Sequence, residues 1–169
     1  KLDIQYAFHH SATSEYSRYD RLIRYRKGLP RSGEWNYGPQ IWTMHNLSFS
    51  LKSDGGIYDE AVARVAYQYF EESRRSRDLN KKDRLVQTEK VDAWSANLDF
   101  SKKVGEKNVF NYGLEWVINK VNSLGQIENV STGVVNPTSS RYPQADWSSY
   151  AAYITNTHYW SDRFTTFAG

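Results

Sequence analysis

The densest group of side chains capable of specific chemistry lies between Ser11 and Pro39. That stretch carries Tyr16, Tyr19, Arg21, Arg24, Tyr25, Arg26, Arg31, Trp35 and Tyr37. A guanidinium is a planar fork that meets a carboxylate or phosphate with two parallel hydrogen bonds. An aromatic ring adds a stacking face that also attracts cations. Interleaved, the two suit an anionic or aromatic ligand, with Arg24, Arg26, Trp35 and Tyr37 as the candidate contacts. The same composition also fits a solvated loop whose rings pack on neighbours, or arginines that bridge lipid phosphates. A second run, Glu71-Glu72-Ser73-Arg74-Arg75-Ser76-Arg77-Asp78, mixes both signs, and such runs are usually solvated faces.

Nothing in the chain spells a catalytic centre. There is no cysteine, which removes disulfide frameworks, thiolate metal sites and cysteine nucleophiles together. His9 and His10 are adjacent, so in a regular strand they point to opposite faces and cannot share an ion. His45 and His158 have no ligand partner nearby in sequence. No Ser-His-Asp order, zinc spacing or Gly-rich phosphate loop occurs. The expectation is a protein that is not an enzyme and holds no metal or cofactor. The net charge of +3 comes from 22 basic and 19 acidic residues. The basic residues fall in separate segments and form no single stripe, so no nucleic-acid footprint is read from them.

The elements that must position these residues show a period of two. Leu2, Ile4, Tyr6 and Phe8 alternate with Asp3, Gln5, Ala7 and His9. Ile41 to Leu51, Ala61 to Tyr69, Trp94 to Phe100 and Phe110 to Ile118 repeat the pattern, and Trp147 to Tyr159 forms another aromatic-rich strand. Strict alternation marks a strand with one apolar and one polar face. The apolar sets are free of charge, whereas the opposite sets hold Asp3, Arg64, Asp99 and Glu115. These last are expected to pair with one another or with a partner, because buried charges need partners. Short turns are expected near residues 54, 105 and 162, and long loops near 25, 80 and 134. Short turns at one rim and long loops at the other are the signature of an up-and-down membrane barrel.

Mean hydropathy is low, at -0.76, and no apolar run is long enough for a helical span. A barrel strand escapes that test, since only every second residue must be apolar. Aromatics make up 15% of the chain. Tyr67, Tyr69, Trp116, Tyr159 and Trp160 are placed near strand ends, as an interfacial girdle would require. A soluble β-sandwich that binds carbohydrate through the same rings is the competing reading.

Glu34-Trp35-Asn36-Tyr37-Gly38-Pro39-Gln40, Tyr112-Gly113-Leu114-Glu115, Ser140-Arg141-Tyr142-Pro143 and the stretch from Tyr150 to Gly169 resemble the C-terminal barrel of TonB-dependent outer-membrane receptors. The resemblance covers nearly the whole chain. It implies an antiparallel, up-and-down, all-β transmembrane segment, residues 1–169 forming about seven strands of a 22-stranded barrel. It further implies outer-membrane lipid as a partner, an imported ligand of siderophore, cobalamin or glycan type, and coupling to TonB. The family's plug domain and TonB box have no counterpart in this sequence, so the chain is expected to be a fragment of a larger receptor.

Overall fold

The computed structural model describes residues 1–169, apart from the side chain of Asp54. In chain order the elements are β1 (Leu2–Ala12), β2 (Tyr16–Ser17), α1 (Tyr19–Leu22), β3 (Tyr25–Arg26), β4 (Leu29–Pro30) and β5 (Ser32–Gly55). They continue with β6 (Tyr58–Asp78), β7 (Asp83–Val104), β8 (Asn108–Asn129), β9 (Val135–Thr138), β10 (Ala145–Ser161) and β11 (Phe164–Ala168). The chain is all-β and antiparallel. Its main sheet runs β1-β5-β6-β7-β8-β10-β11, so these strands pair in sequence order, up and down. That path holds seven strands, and β2 and β9 attach to its flanks. β3 and β4 make a separate small hairpin.

Register decides which side chains share a face. One ladder row joins Tyr6, Leu47, Val65, Ala96, Trp116 and Tyr150. The next joins Ile4, Phe49, Ala63, Leu98, Leu114 and Ala152. Below it lie Leu2, Leu51, Ala61, Phe100, Tyr112 and Ile154. Every apolar set of the alternating pattern therefore lands on one side and makes a continuous belt. On β8 the belt runs from Phe110 to Ile118, close to the ~9–11 residues of a tilted membrane crossing. The other side carries Ser48, Arg64, Asn97 and Glu115 in one row.

None of the described residues covers this belt. Among the described residues no hydrophobic side chain is buried, and Leu114 is 58% exposed, Trp94 50% and Ile154 63%. A sandwich needs a second sheet packed on the apolar face. Among the described residues the only strands outside the main sheet are the two-residue β3 and β4.

The long strands exceed the belt. β5, β6, β7 and β8 have 24, 21, 22 and 22 residues, or about 70 Å at ~3.3 Å per residue. This corrects the expected long loops. The charged stretch around residue 80 is mostly strand, with only Leu79 to Lys82 as its turn. β8 likewise runs on to Asn129 where a loop was expected from Asn122. A ladder is made of backbone hydrogen bonds and persists whether or not one face is greasy. Beyond the belt polar and charged residues predominate on both faces, and the apolar ones fall on either side, with Trp42, Phe70, Val91 and Val121 in a row opposite the belt and Leu124 on its side, so the period of two is lost from the sequence while the strand continues. The short turns fall where expected, at Gly56-Ile57, Gly105 to Lys107 and Asp162-Arg163.

Of the aromatics expected near strand ends, Tyr159 and Trp160 lie at the end of β10, whereas Trp116 lies within β8. Tyr67 and Tyr69 lie in the middle of β6, at the edge of the belt, and not at the strand end. There Tyr6, His45, Tyr67 and Trp94 form a continuous row of rings with centroid separations of 6.2, 6.4 and 4.8 Å. The Tyr6 hydroxyl meets His45 Nδ1 at 2.7 Å, and the Tyr67 hydroxyl donates to Asp92 at 2.6 Å. At the opposite margin Tyr58, Phe100 and Tyr112 form a second row, at 5.6 and 5.1 Å. Asp59 and Lys102 pair just outside it, at 2.5 Å.

Candidate functional site

Trp35 and Tyr37 sit on β5, and a bulge decides where they point. Tyr37 pairs with Arg74 while Gln40 pairs with Glu72, so β5 spends one residue more than β6 between these points. A bulge of this kind re-aims side chains. Without it, Tyr37 would share the side of Ile41 and Thr43. With it, Trp35 and Tyr37 emerge on the polar face beside Arg74, on the side that carries Arg64 and Glu115 lower down. Their rings meet edge to face at 5.3 Å.

The segment between β2 and β5 brings further arginines to these rings. The Arg18 guanidinium lies 5.5 Å from the Trp35 centroid and 5.2 Å from that of Tyr37. Arg21 lies 5.3 Å and Arg74 5.4 Å from Trp35. Arg18 is anchored by Asp20, with its Nε and Nη2 donating at 2.7 and 2.8 Å. That hydrogen bond and the Arg18 charge hold the Asp20 carboxyl below its usual range. In turn, the hydrogen bond to Asp20 raises the Arg18 pKa against the opposing effect of desolvation. The Arg18 N–H also donates to the Trp35 carbonyl at 2.8 Å, which fastens this segment to β5.

Beside the rings is a cavity of about 210 Å³ lined by Arg21, Arg24, Arg31, Trp35, Ser76 and Asp78. Of the four residues expected to contact a ligand, Arg24 and Trp35 line it. Tyr37 lies one pair further along β5 and contacts Arg18 and Arg74. Arg26 pairs with Leu29 in the exposed β3–β4 hairpin and does not line the cavity. Arg18, Arg21, Arg31 and Arg74 were not among the expected contacts. Arg74 lies 39 residues from Trp35 in sequence, and only the strand pairing reveals it.

The run from Glu71 to Asp78 is organised and not merely solvated. Its odd-numbered members share the side of the belt. Arg75 reaches Glu15 at 2.6 Å, Arg77 reaches Glu34 at 3.5 Å, and Glu71 meets Lys90 at 3.6 Å. Glu34 also meets Arg84 at 3.0 Å, and Arg84 meets Glu128 at 3.2 Å. Burial works against the Arg84 charge, but the Glu34 and Glu128 carboxylates outweigh it and raise its pKa.

On the polar face, Arg64 and Asp99 pair at 2.8 Å, and Asn97 donates to Glu115 at 2.9 Å. Asp3 accepts from Gln5 at 2.9 Å. His9 packs on Trp42 at 4.5 Å while His10 meets Thr43 Oγ1 at 2.9 Å, so the two imidazoles do diverge. Among the described residues no group of His, Asp and Glu has the arrangement of a metal site. Comparison with protein-family models, curated proteins and solved structures returns no significant match.

Proposed function

We propose that the chain is a segment of an outer-membrane β-barrel that serves as a TonB-dependent uptake receptor. One observation carries the membrane half of this reading: a charge-free belt on one face of an up-and-down sheet, bounded by aromatic rows at both margins and left uncovered by the described residues. Water is a poor neighbour for such a surface, at ~25 cal/mol per Å² of apolar area. Exposed apolar patches of this extent mark a membrane or partner contact. Hydrocarbon suits it better than a rigid protein, because the belt is open and uneven. A trough of about 450 Å³ runs along it, lined by Ala63, Val65, Ala96, Leu98, Leu114, Trp116 and Tyr150, and a flexible acyl chain can fill such a shape.

The strand extensions support the transport half. Beyond the belt the sheet continues with charged and polar side chains in the majority on both faces, as a barrel projecting from the membrane would. The Arg/Trp cavity lies at that projecting end, on the face turned away from lipid. A ligand arriving from outside would meet it first. TonB coupling rests on the resemblance noted above. The sandwich reading is left without a sheet to cover the belt.

Two experiments test the two halves. Exported into the envelope of a Gram-negative host, the chain is expected in the outer-membrane fraction and soluble only in detergent. Recovery as a soluble monomer would contradict the membrane assignment. In the natural host, loss of the gene and loss of TonB should produce the same growth defect on one of a panel of siderophore, cobalamin and glycan sources. A defect on none of them would contradict the uptake role.

A further inference from the structure

The cavity beside Trp35 gathers more positive charge than the protein itself matches. Arg24 and Arg31 flank the β3–β4 hairpin, and the Arg31 N–H donates to the Arg24 carbonyl at 2.8 Å. At the hairpin tip Lys27 and Gly28 have φ of 54° and 79°, the two positive values of a type I′ turn. The tight hairpin thereby fixes the separation of the two arginine stems. The Arg31 carbonyl accepts from Leu79 N–H at 3.0 Å, which ties the hairpin to the β6–β7 turn.

Among the described residues, neither Arg24 nor Arg31 forms an ion pair. Arg21 approaches only Asp20, at 3.7 Å, and its Nε is buried without a hydrogen-bond partner. Three guanidiniums thus line one small cavity with a single carboxylate, Asp78. Like charges held this close repel, and a buried guanidinium nitrogen without an acceptor carries a desolvation cost. An oxyanion entering the cavity relieves both.

We propose that this cavity binds one carboxylate or phosphate group of a soluble ligand, gripped by Arg21, Arg24 and Arg31 with the Trp35 ring as a wall. The volume suits one such group, so the rest of the ligand extends outward. A lipid phosphate offers the same chemistry, but lipid would cover the belt, and the cavity opens on the opposite face. As a statement about imported cargo this rests on the uptake reading. The anion site itself is measured without it.

The test titrates citrate and inorganic phosphate, at constant ionic strength, into the full chain folded in zwitterionic detergent. Tryptophan fluorescence is followed, with Trp35→Phe as the reference. A saturable change that Trp35→Phe removes is expected. The Arg24→Gln/Arg31→Gln double variant should weaken it about tenfold or more, since both forks are lost. Arg24→Lys/Arg31→Lys keeps the charge, spares the hairpin and should weaken it less. Arg26→Gln, outside the cavity, should leave it unchanged. A non-saturable response, or equal affinity in the double variant, would overturn the site. In a parallel arm, trace phosphatidylglycerol is added to the micelles. Displacement of citrate by that lipid would overturn the soluble-ligand assignment. A water-soluble chain that still binds citrate would overturn the membrane reading and leave the anion site standing. A lipid-embedded chain that binds neither anion would overturn the anion site alone.

Discussion

The Tyr153 ring lies across Gly113 on the neighbouring strand, and its hydroxyl donates to Asp99 one strand further on, at 2.8 Å. Gly113 pairs with both Asp99 and Tyr153, so its missing side chain is the slot through which the ring passes. A Cβ added there would stand 2.6 Å from Tyr153 Cε1, 2.7 Å from the Leu98 carbonyl and 2.9 Å from Asp99 Oδ1. The tyrosine covers backbone that glycine leaves bare and closes a three-strand network, Arg64–Asp99–Tyr153. Gly113→Ala should therefore displace the ring, break the hydroxyl bond and cost about 1–3 kcal/mol by overpacking. Unfolding by urea from lipid or detergent reads the loss. Tyr153→Phe should cost less, about 1 kcal/mol for the one hydrogen bond. A cost for Tyr153→Phe equal to that of Gly113→Ala would show that the slot has no steric role.

Leu114 and Leu124 lie on the same side of the same strand, ten residues apart, one inside the belt and one beyond it. Leu114→Arg should destabilise the folded chain by about 2–4 kcal/mol if Leu114 lies near the bilayer midplane. Leu124→Arg should change stability by less than about 0.5 kcal/mol, as at an ordinary wet surface. Equal effects at the two sites, measured by equilibrium unfolding in vesicles, would contradict the boundary drawn here between belt and extension.

Glu34 joins two arginines on different strands. Its side chain is 13% exposed, and it meets both Arg77 and Arg84. Glu34→Gln removes the bridging charge and leaves two guanidiniums facing each other, at a cost of about 1–3 kcal/mol. Hydrogen exchange should accelerate in the outer halves of β5 to β7 and remain unchanged across the belt. Uniform acceleration over the whole sheet would contradict the local role assigned to this network.

Acid should spare the Arg18–Asp20 pair. The Arg18 hydrogen bond and charge depress the Asp20 pKa below its ordinary value of 3.8. A depressed folded pKa means that the stabilisation is present above the unfolded value and is lost only as pH falls through the folded one. The Asp20 carboxyl carbon, followed by NMR, should titrate below 3.8, and Arg18→Gln should return it upward. An unchanged midpoint in that variant would show that the pair does not form in solution.

The legible part of this fold was the part with a greasy side. Val65, Leu98 and Leu114 stand in strict alternation, and alternation survives only where two environments differ. The extensions through Arg74, Gln87 and Gln126 carry polar residues on both sides with apolar ones scattered among them, so no period of two separates strand from loop there. The site was half legible. Arginines and rings interleaved before Pro39 pointed to Arg24 and Trp35. Arg74 comes from another strand, and the bulge near Gly38 that turns Trp35 towards it depends on register, which local sequence does not encode.

The central claim is that one face of the sheet meets hydrocarbon over a limited height. Single cysteines placed at each position from Phe110 to Asn129, labelled with an environment-sensitive dye in lipid vesicles, test it most directly. Dry, lipid-quenchable signals are expected at Tyr112, Leu114, Trp116 and Ile118, wet signals at the residues between them, and uniformly wet signals from Asn122 onward. Wet signals at Leu114 and Trp116, or dry ones that lipid-borne quenchers cannot reach, would contradict it.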